Sequence, residues 1–280
     1  MNIDFFIKIS YRISGLVTKS YSTSFSLAAS LLHKKERQAI YAIYGFVRLA
    51  DEIVDSFHDH DKAFLLDKLD EDLDAALKHG ISTNPVLVAF ADTVSKYEID
   101  RKHIRAFMES MRRDISQSNY DNSADIEQYI YGSANVVGLM CLKVFCGNDQ
   151  RLYENLQRPA EKLGSAFQKV NFIRDLKDDM FTLGRNYFPE IVFDNLNAAS
   201  KREIEQSIER DFSEARTGIK HLPGRSKLAV AIAYHYYKGL FQKIKQTSTD
   251  KLLSKRIRLS NFKKYLIISK VWILFQLKQI

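Results

Sequence analysis

The sequence predicts an all-α protein folded as a single domain, and three observations carry that prediction. Only four prolines, Pro85, Pro159, Pro189 and Pro223, interrupt 280 residues. Apolar residues recur at close to the 3.6-residue helical period over long stretches, and alternating strand patterns joined by Asn-Gly or Asp-Gly turns are absent. With 45% hydrophobic and 12% aromatic residues, the chain can bury one large core.

Taken in order, the elements announce themselves by their punctuation. Asp4 and Lys8 break the apolar N-terminus, so it has no signal-peptide core and a cytoplasmic location is expected. A helix is expected over 41–55, followed by His58-Asp59-His60, which imitates a metal site but has no partner at ligand spacing and reads as an exposed turn. Lys78-His79-Gly80 has the form of a basic last turn with a terminating glycine, and Asn84-Pro85 that of a cap with a first-turn proline. Cys141 and Cys146, at i, i+5 in an apolar run, match neither a zinc knuckle nor a redox pair and read as buried thiols in a reducing compartment. A second helix is expected through 164–180. Residues 184–197, with three Asn, Gly184 and Pro189, form the candidate long loop and lid, and Ser200 to Glu203 has the capping-box spacing of a new helix start.

Two of these helices carry an unusual polar stripe. Tyr41, Tyr44, Arg48, Asp51 and Asp55 follow at steps of three or four, as do Gly164, Gln168, Asn171, Asp175 and Asp179. With 34 acids in the chain, about four i, i+4 acid pairs arise by chance, so the pairs gain meaning only from their stripes. The flanking positions are largely apolar, whereas a solvated face would be broader. Like charges one turn apart weaken a helix by a few tenths of a kcal/mol, and burying them unpaired costs several kcal/mol more. Two matching stripes therefore read as opposite walls of one cavity, with hard divalent cations between the acids.

The charge is uneven. The net +8 resides wholly in residues 251–280, which hold eight bases and no acid, while the first 250 residues carry 34 of each sign. The apolar run in this tail, Tyr265 to Phe275, is broken by Lys270 and is shorter than the roughly 20 residues needed to span a bilayer. Two readings stay open: a helix lying on an anionic membrane surface, or a last helix packed on the core. No nucleic-acid motif accompanies the charge, and no nucleic-acid partner is expected.

From about residue 22 to about residue 258, the ordered motifs resemble the phytoene and squalene synthase family of head-to-head prenyl transferases. Tyr44, Arg48, Asp51, Glu52 and Asp55 match its first aspartate-rich motif, with Glu52 replacing the middle aspartate. Gln168, Asn171, Arg174, Asp175 and Asp179, then Gly184, Arg185, Tyr187 and Pro189, match its second signature. Tyr129 to Tyr131 and Val136 to Met140 are similar to its central helix, and Ser22-Thr23-Ser24-Phe25 to its Ser-x-Ser-Phe diphosphate contact. Asn135 and Lys177 stand where that family commonly has glycine, and neither removes a carboxylate.

The resemblance implies an isoprenoid-synthase-type helical bundle around a central cavity. It implies Mg2+, with Mn2+ as a substitute, on Asp51, Asp55, Asp175, Asp179 and Asn171, and no NADPH. Ser22, Ser24, Arg48, Gln168, Arg174 and Arg185 would contact the substrate diphosphates, and Phe25, Tyr44 and Tyr129 would face the allylic cation. The expected activity joins two geranylgeranyl diphosphates into phytoene. The alternatives are squalene or dehydrosqualene formation from farnesyl diphosphate and, from another class, a non-catalytic membrane-surface assembly factor, which would leave both acid stripes without a purpose. If the tail binds lipid, the protein is expected to be peripheral on the inner face of the cell membrane.

Overall fold

The computed structural model describes residues 2–117, 120, 122–181, 184, 185, 187 and 197–280. These form thirteen α-helices and, among the described residues, no strand. In chain order they are α1 (Ile3–Tyr21), α2 (Thr23–Ser30), α3 (Lys34–Ser56), α4 (Lys62–His79), α5 (Pro85–Tyr97), α6 (Arg101–Ser116), α7 (Ser123–Ile130), α8 (Val136–Cys146), α9 (Gln150–Phe181), α10 (Ala198–Ile219), α11 (Gly224–Lys245), α12 (Thr249–Ser254) and α13 (Asn261–Gln276).

Side-chain caps set many of the starts. Asn2, Ser22, Asp61, Asn84, Asp100 and Asn122 each accept a bond from a first-turn N–H, satisfying donors that the helix itself leaves free. Gly80 closes α4 at φ 73°, as its sequence predicts. The expected cap at Ser200 is corrected. Asn197 lies three residues upstream and its Oδ1 accepts from the N–H groups of Ala199 and Ser200, each at 2.9 Å, so α10 starts earlier and Ser200 sits inside its first turn. Pro159 lies within the 32-residue α9. The His58 to His60 stretch is an exposed turn, as expected.

Two large apolar cores form. One gathers α3, α4, α5, α6 and α8 around Phe46, Phe90 and Phe107. The other gathers α9, α10 and α11 around Val170, Ile208 and Phe241, and takes in Leu252, Ile257 and Leu259 from the start of the tail. Residues 123–146 are long and apolar enough to cross a membrane by length and composition, yet half of that stretch is buried inside the fold, against α6 and α9. The expected central helix is interrupted there by a π-helical turn, Tyr131–Asn135. Close approach explains two of its neighbours. A Cβ at Gly132 would sit 2.6 Å from the Ala106 carbonyl oxygen of α6, and one at Gly164 2.9 Å from that of Ala134. The candidate lid at 184–197, with Pro189, lies outside the described residues apart from Gly184, Arg185, Tyr187 and Asn197.

Candidate active site

Along the seam between the two cores runs a cavity of about 1250 Å³. The expected metal- and substrate-contacting residues line it: Ser22, Ser24 and Phe25 from α2 and its cap; Tyr44, Arg48, Asp51 and Asp55 from α3; Tyr129 from α7; Gln168, Asn171, Arg174, Asp175 and Asp179 from α9; and Arg185 beyond it. Tyr41, the first residue of the α3 stripe, is buried in the core instead. The two stripes thus form opposing walls. On α9 the stripe continues toward the N-terminus through Phe167, Leu163, Ala160 and Leu156, so one face of one helix grades from hydrocarbon to carboxylate.

At the acidic end, arginines hold the carboxylates. Arg185 donates to Asp55 at 3.0 Å, and to the Asp114 carbonyl at 2.9 Å, while its backbone N–H bonds the Asp179 carbonyl at 2.7 Å. One buried residue thereby ties together the ends of three helices, its guanidinium holding α3 and α6 and its backbone N–H holding α9. Asp175 lies between Arg174, at 2.9 Å, and Arg256, at 2.8 Å. Arg48 pairs with Glu52 one turn along α3 and stacks 4.3 Å from the Tyr21 ring centroid. The middle residue of the first motif therefore anchors an arginine.

These partners do not neutralise the site. Burial, with Asp55 and Asp114 nearby, pushes the Asp51 carboxyl up to about 7. Burial, then Asp175, pushes Asp179 up to about 7, although Arg185 opposes it. Asp114 is also pushed to about 7, chiefly by burial. It is 9% exposed, accepts from the Tyr129 hydroxyl at 2.8 Å, and leaves its Oδ1 without a partner. A buried carboxylate oxygen with no donor marks a place that favours an added positive charge.

Among the described residues, no three acidic, histidine or cysteine side chains lie close enough to hold an ion by themselves. Mg2+ is commonly held by one or two carboxylates together with substrate phosphate and water, a mode open to the facing carboxylate pairs that line the cavity. Asp51 and Asp55 on one wall, and Asp175 and Asp179 on the other, are the residues that would hold it. Asn171 presents an amide oxygen that already accepts from Tyr237 at 3.3 Å and has a second lone pair to offer.

Aromatic rings line the region below the acids. Phe25 stacks on Tyr44 at 4.9 Å, Phe172 on Tyr187 at 4.1 Å, and Phe167 on Tyr237 at 3.9 Å. Tyr129 sits 5.4 Å from Tyr187. Gln168 reaches Ser133 in the π turn at 3.4 Å. Sequence reasoning missed Asp114, Tyr237 and the pairing of Arg256 with Asp175. Asp114 follows Arg112 and Arg113 and has no acid at helical spacing; Arg256 was counted only as tail charge. Cys146 is buried as expected, whereas Cys141 faces the cavity; burial pushes their thiols up to about 11 and about 12, so both stay protonated.

The squalene/phytoene synthase family profile matches residues 18–263. Phytoene synthase 1 of Zea mays chloroplasts is 27% identical over 281 residues, which span 94% of this chain and 68% of that protein. The 4,4'-diapophytoene synthase of Staphylococcus haemolyticus (strain JCSC1435) is 23% identical over 92% of this chain and 94% of its own. The crystal structure of a dehydrosqualene synthase in complex with ligand superposes with a TM-score of 0.82 at 21% identity, covering 96% of this chain and 98% of that one.

The raised carboxyls fix a pH dependence. A carboxyl near 7 in the folded state and near 4 in the unfolded state binds more protons when folded, so it costs stability as pH rises from about 4 to about 7. Asp179→Asn removes that ionisation. In melting experiments without divalent cation, the variant should gain on the wild type across this interval and level off above pH 7, having gained about 4 kcal/mol. A difference that does not vary with pH would show that Asp179 carries no such burden.

Proposed function

The chain belongs to the squalene/phytoene synthase family, and from that premise we propose that it condenses two geranylgeranyl diphosphates head to head, through a cyclopropylcarbinyl diphosphate, into phytoene and two diphosphates. The observation that carries this reading is the α9 stripe, acidic at one end and aliphatic at the other, opposed by the acids of α3. A prenyl diphosphate has the same division between an anionic head and a hydrocarbon tail. The preference for twenty carbons is supported by relatives named phytoene synthase and by the length of the aliphatic wall.

Mg2+, when bound, draws charge from the leaving diphosphate and lowers the barrier to its departure. The chain's own residues do the rest. Arg48, Arg174, Arg185 and Arg256 line the acidic end, where guanidinium forks suit diphosphate oxygens. Ser22 and Ser24 add hydroxyls, with the Ser22 Oγ also accepting from the Phe25 N–H at 3.3 Å. Departure of the first diphosphate leaves an allylic cation, which the double bond of the second substrate attacks; proton loss closes the cyclopropane. Loss of the second diphosphate and ring opening join the two C1 carbons, and a final proton loss gives the central double bond without a reductant. The faces of Phe25, Tyr44, Tyr129 and Phe172 steady the cationic carbons and exclude water. Tyr129 is oriented for this task, because its O–H is committed to Asp114 and its lone pairs remain. Incubation with fifteen- and twenty-carbon prenyl diphosphates and Mg2+, without NADPH, should yield mainly a forty-carbon hydrocarbon. Accumulation of a cyclopropyl intermediate that NADPH converts to squalene would overturn this reading.

The tail serves both of the roles left open by its sequence, in this proposal. Val271, Ile267 and Ile268 of α13 pack inward, whereas Phe262 is 71% and Trp272 49% exposed. We infer that this outer face docks on an anionic bilayer, the source of the substrate and sink for the product. Each base near such a surface contributes about 1 kcal/mol, so replacing Lys263, Lys270 and Lys278 with Gln should weaken binding to phosphatidylserine vesicles about a hundredfold at low salt. Emission from Trp272, the sole tryptophan, should shift on binding. Wild-type vesicle affinity in the variant would leave α13 as a packed terminal helix.

A further inference from the structure

Helix α1 turns its polar side in and its apolar side out. Its inward face is made of small and hydroxyl residues: Ser10, Ser14 and Thr18 are fully buried, with Gly15 beside them. The crossing with α3 explains why. A Cβ at Gly15 would come within 3.2 Å of the Tyr41 ring, and one at Gly45 within 3.2 Å of the Ser14 Cβ, so no bulky side chain fits between the two helices. Two of the hydroxyls are satisfied within α1 itself. The Ser10 Oγ donates to the Phe6 carbonyl at 2.9 Å, and the Thr18 Oγ1 to the Ser14 carbonyl at 2.8 Å.

The bulk of the helix therefore points outward. Phe5, Ile9 and Leu16 share the opposite face at steps of four and seven, with Phe5 48% and Leu16 66% exposed. Ile3 and Phe6 are exposed beside them. Lys8, Arg12 and Lys19, again at steps of four and seven, form an exposed basic row along this apolar one, and Asp4 is the only acid in α1. Single exposed apolar residues are ordinary, but a row of them opposite buried hydroxyls marks a surface that takes a partner.

The charge selects the partner. Two copies of this face laid together would set three bases against three bases, and the outer face of α13 is basic as well. With four charges in 19 residues the helix cannot span a bilayer, whereas an apolar row edged by bases suits the boundary between acyl chains and anionic headgroups. Its place in the fold agrees. Tyr21, the last residue of α1, is exposed and lines the cavity, as does Tyr265 of α13, so both helices reach the cavity rim.

We propose that the outer face of α1 is a membrane contact in its own right, placing Phe5, Ile9 and Leu16 among the acyl chains of an anionic bilayer. It is separate from the α13 contact inferred above and does not depend on it.

Moving the sole tryptophan reads this face directly. In Trp272→Phe with Phe5→Trp, vesicles containing phosphatidylserine should shift the emission to shorter wavelength, and lipids brominated in their acyl chains should quench it. In Phe5→Ser with Leu16→Ser, both at exposed positions, vesicle affinity should fall at least about tenfold, the scale of burying one such side chain. The difference should persist at about 1 M salt, where a Debye length of about 3 Å screens the bases of both helices. A tryptophan neither shifted nor quenched by vesicles that bind the protein, or wild-type affinity in the double variant, overturns the α1 contact and leaves that of α13 standing. Failure of the wild type to bind vesicles overturns both. A lipid-free dimer in sedimentation that the double variant dissociates would show that a second copy covers the face, and would overturn the proposal too.

Discussion

The structure is organised around mutual repulsion among carboxylates withdrawn from bulk water. Asp51 and Asp55 come from one core and Asp175 and Asp179 from the other, so the seam between the cores is also where like charges meet. Arginines keep that seam closed. Arg185 bridges three helix ends, and Arg174 and Arg256 flank Asp175. Even so, Asp51, Asp114 and Asp179 sit near neutrality in their proton affinity. Removing one partner of a buried ion pair costs several kcal/mol, because the other charge is left uncompensated. In the proposed reaction a dication arriving with a diphosphate would relieve the repulsion, and the diphosphate would give the guanidiniums new anionic partners.

Everything else in the fold holds the two ends of the cavity in register. α9 must run unbroken past Pro159 for acid and hydrocarbon to share one face, and it does so over 32 residues. The π turn at Tyr131–Asn135 brings Ser133 against Gln168 at the point where the stripe changes character. Gly132 and Gly164 permit that approach by presenting no side chain to neighbouring backbone. The tail completes the mouth, because Arg256 reaches the acids and Lys264 and Ile268 line the cavity from α13.

Legibility in the sequence followed locality. The stripes at Tyr44 to Asp55 and Gln168 to Asp179 were readable because each lies on one helix, where spacing alone decides which residues share a face. Asn84 and Gly80 were readable for the same reason. Asp114 was not, since its significance depends on Tyr129 and Arg185, which are distant in sequence, and locally it resembles a solvated acid beside arginines. Arg256 was visible only as charge, and its pairing with Asp175 needs the chain to turn back after α12. The capping box at Ser200 failed because a better-placed competitor, Asn197, stood just upstream. Pro159 lies within α9, because a proline costs a helix a bond but a long, well-packed helix can absorb the loss.

The central claim is that the acids, the arginines and the missing positive charge form one unit. Its most direct test is the binding of inorganic diphosphate at pH 8, measured calorimetrically with and without Mg2+. The account predicts that Mg2+ tightens diphosphate binding by at least about a hundredfold, the upper range of coupling between two ligands, and that Asp51→Asn abolishes the enhancement. Equal diphosphate affinity with and without Mg2+ would mean that the arginines alone hold the anion, and would contradict it.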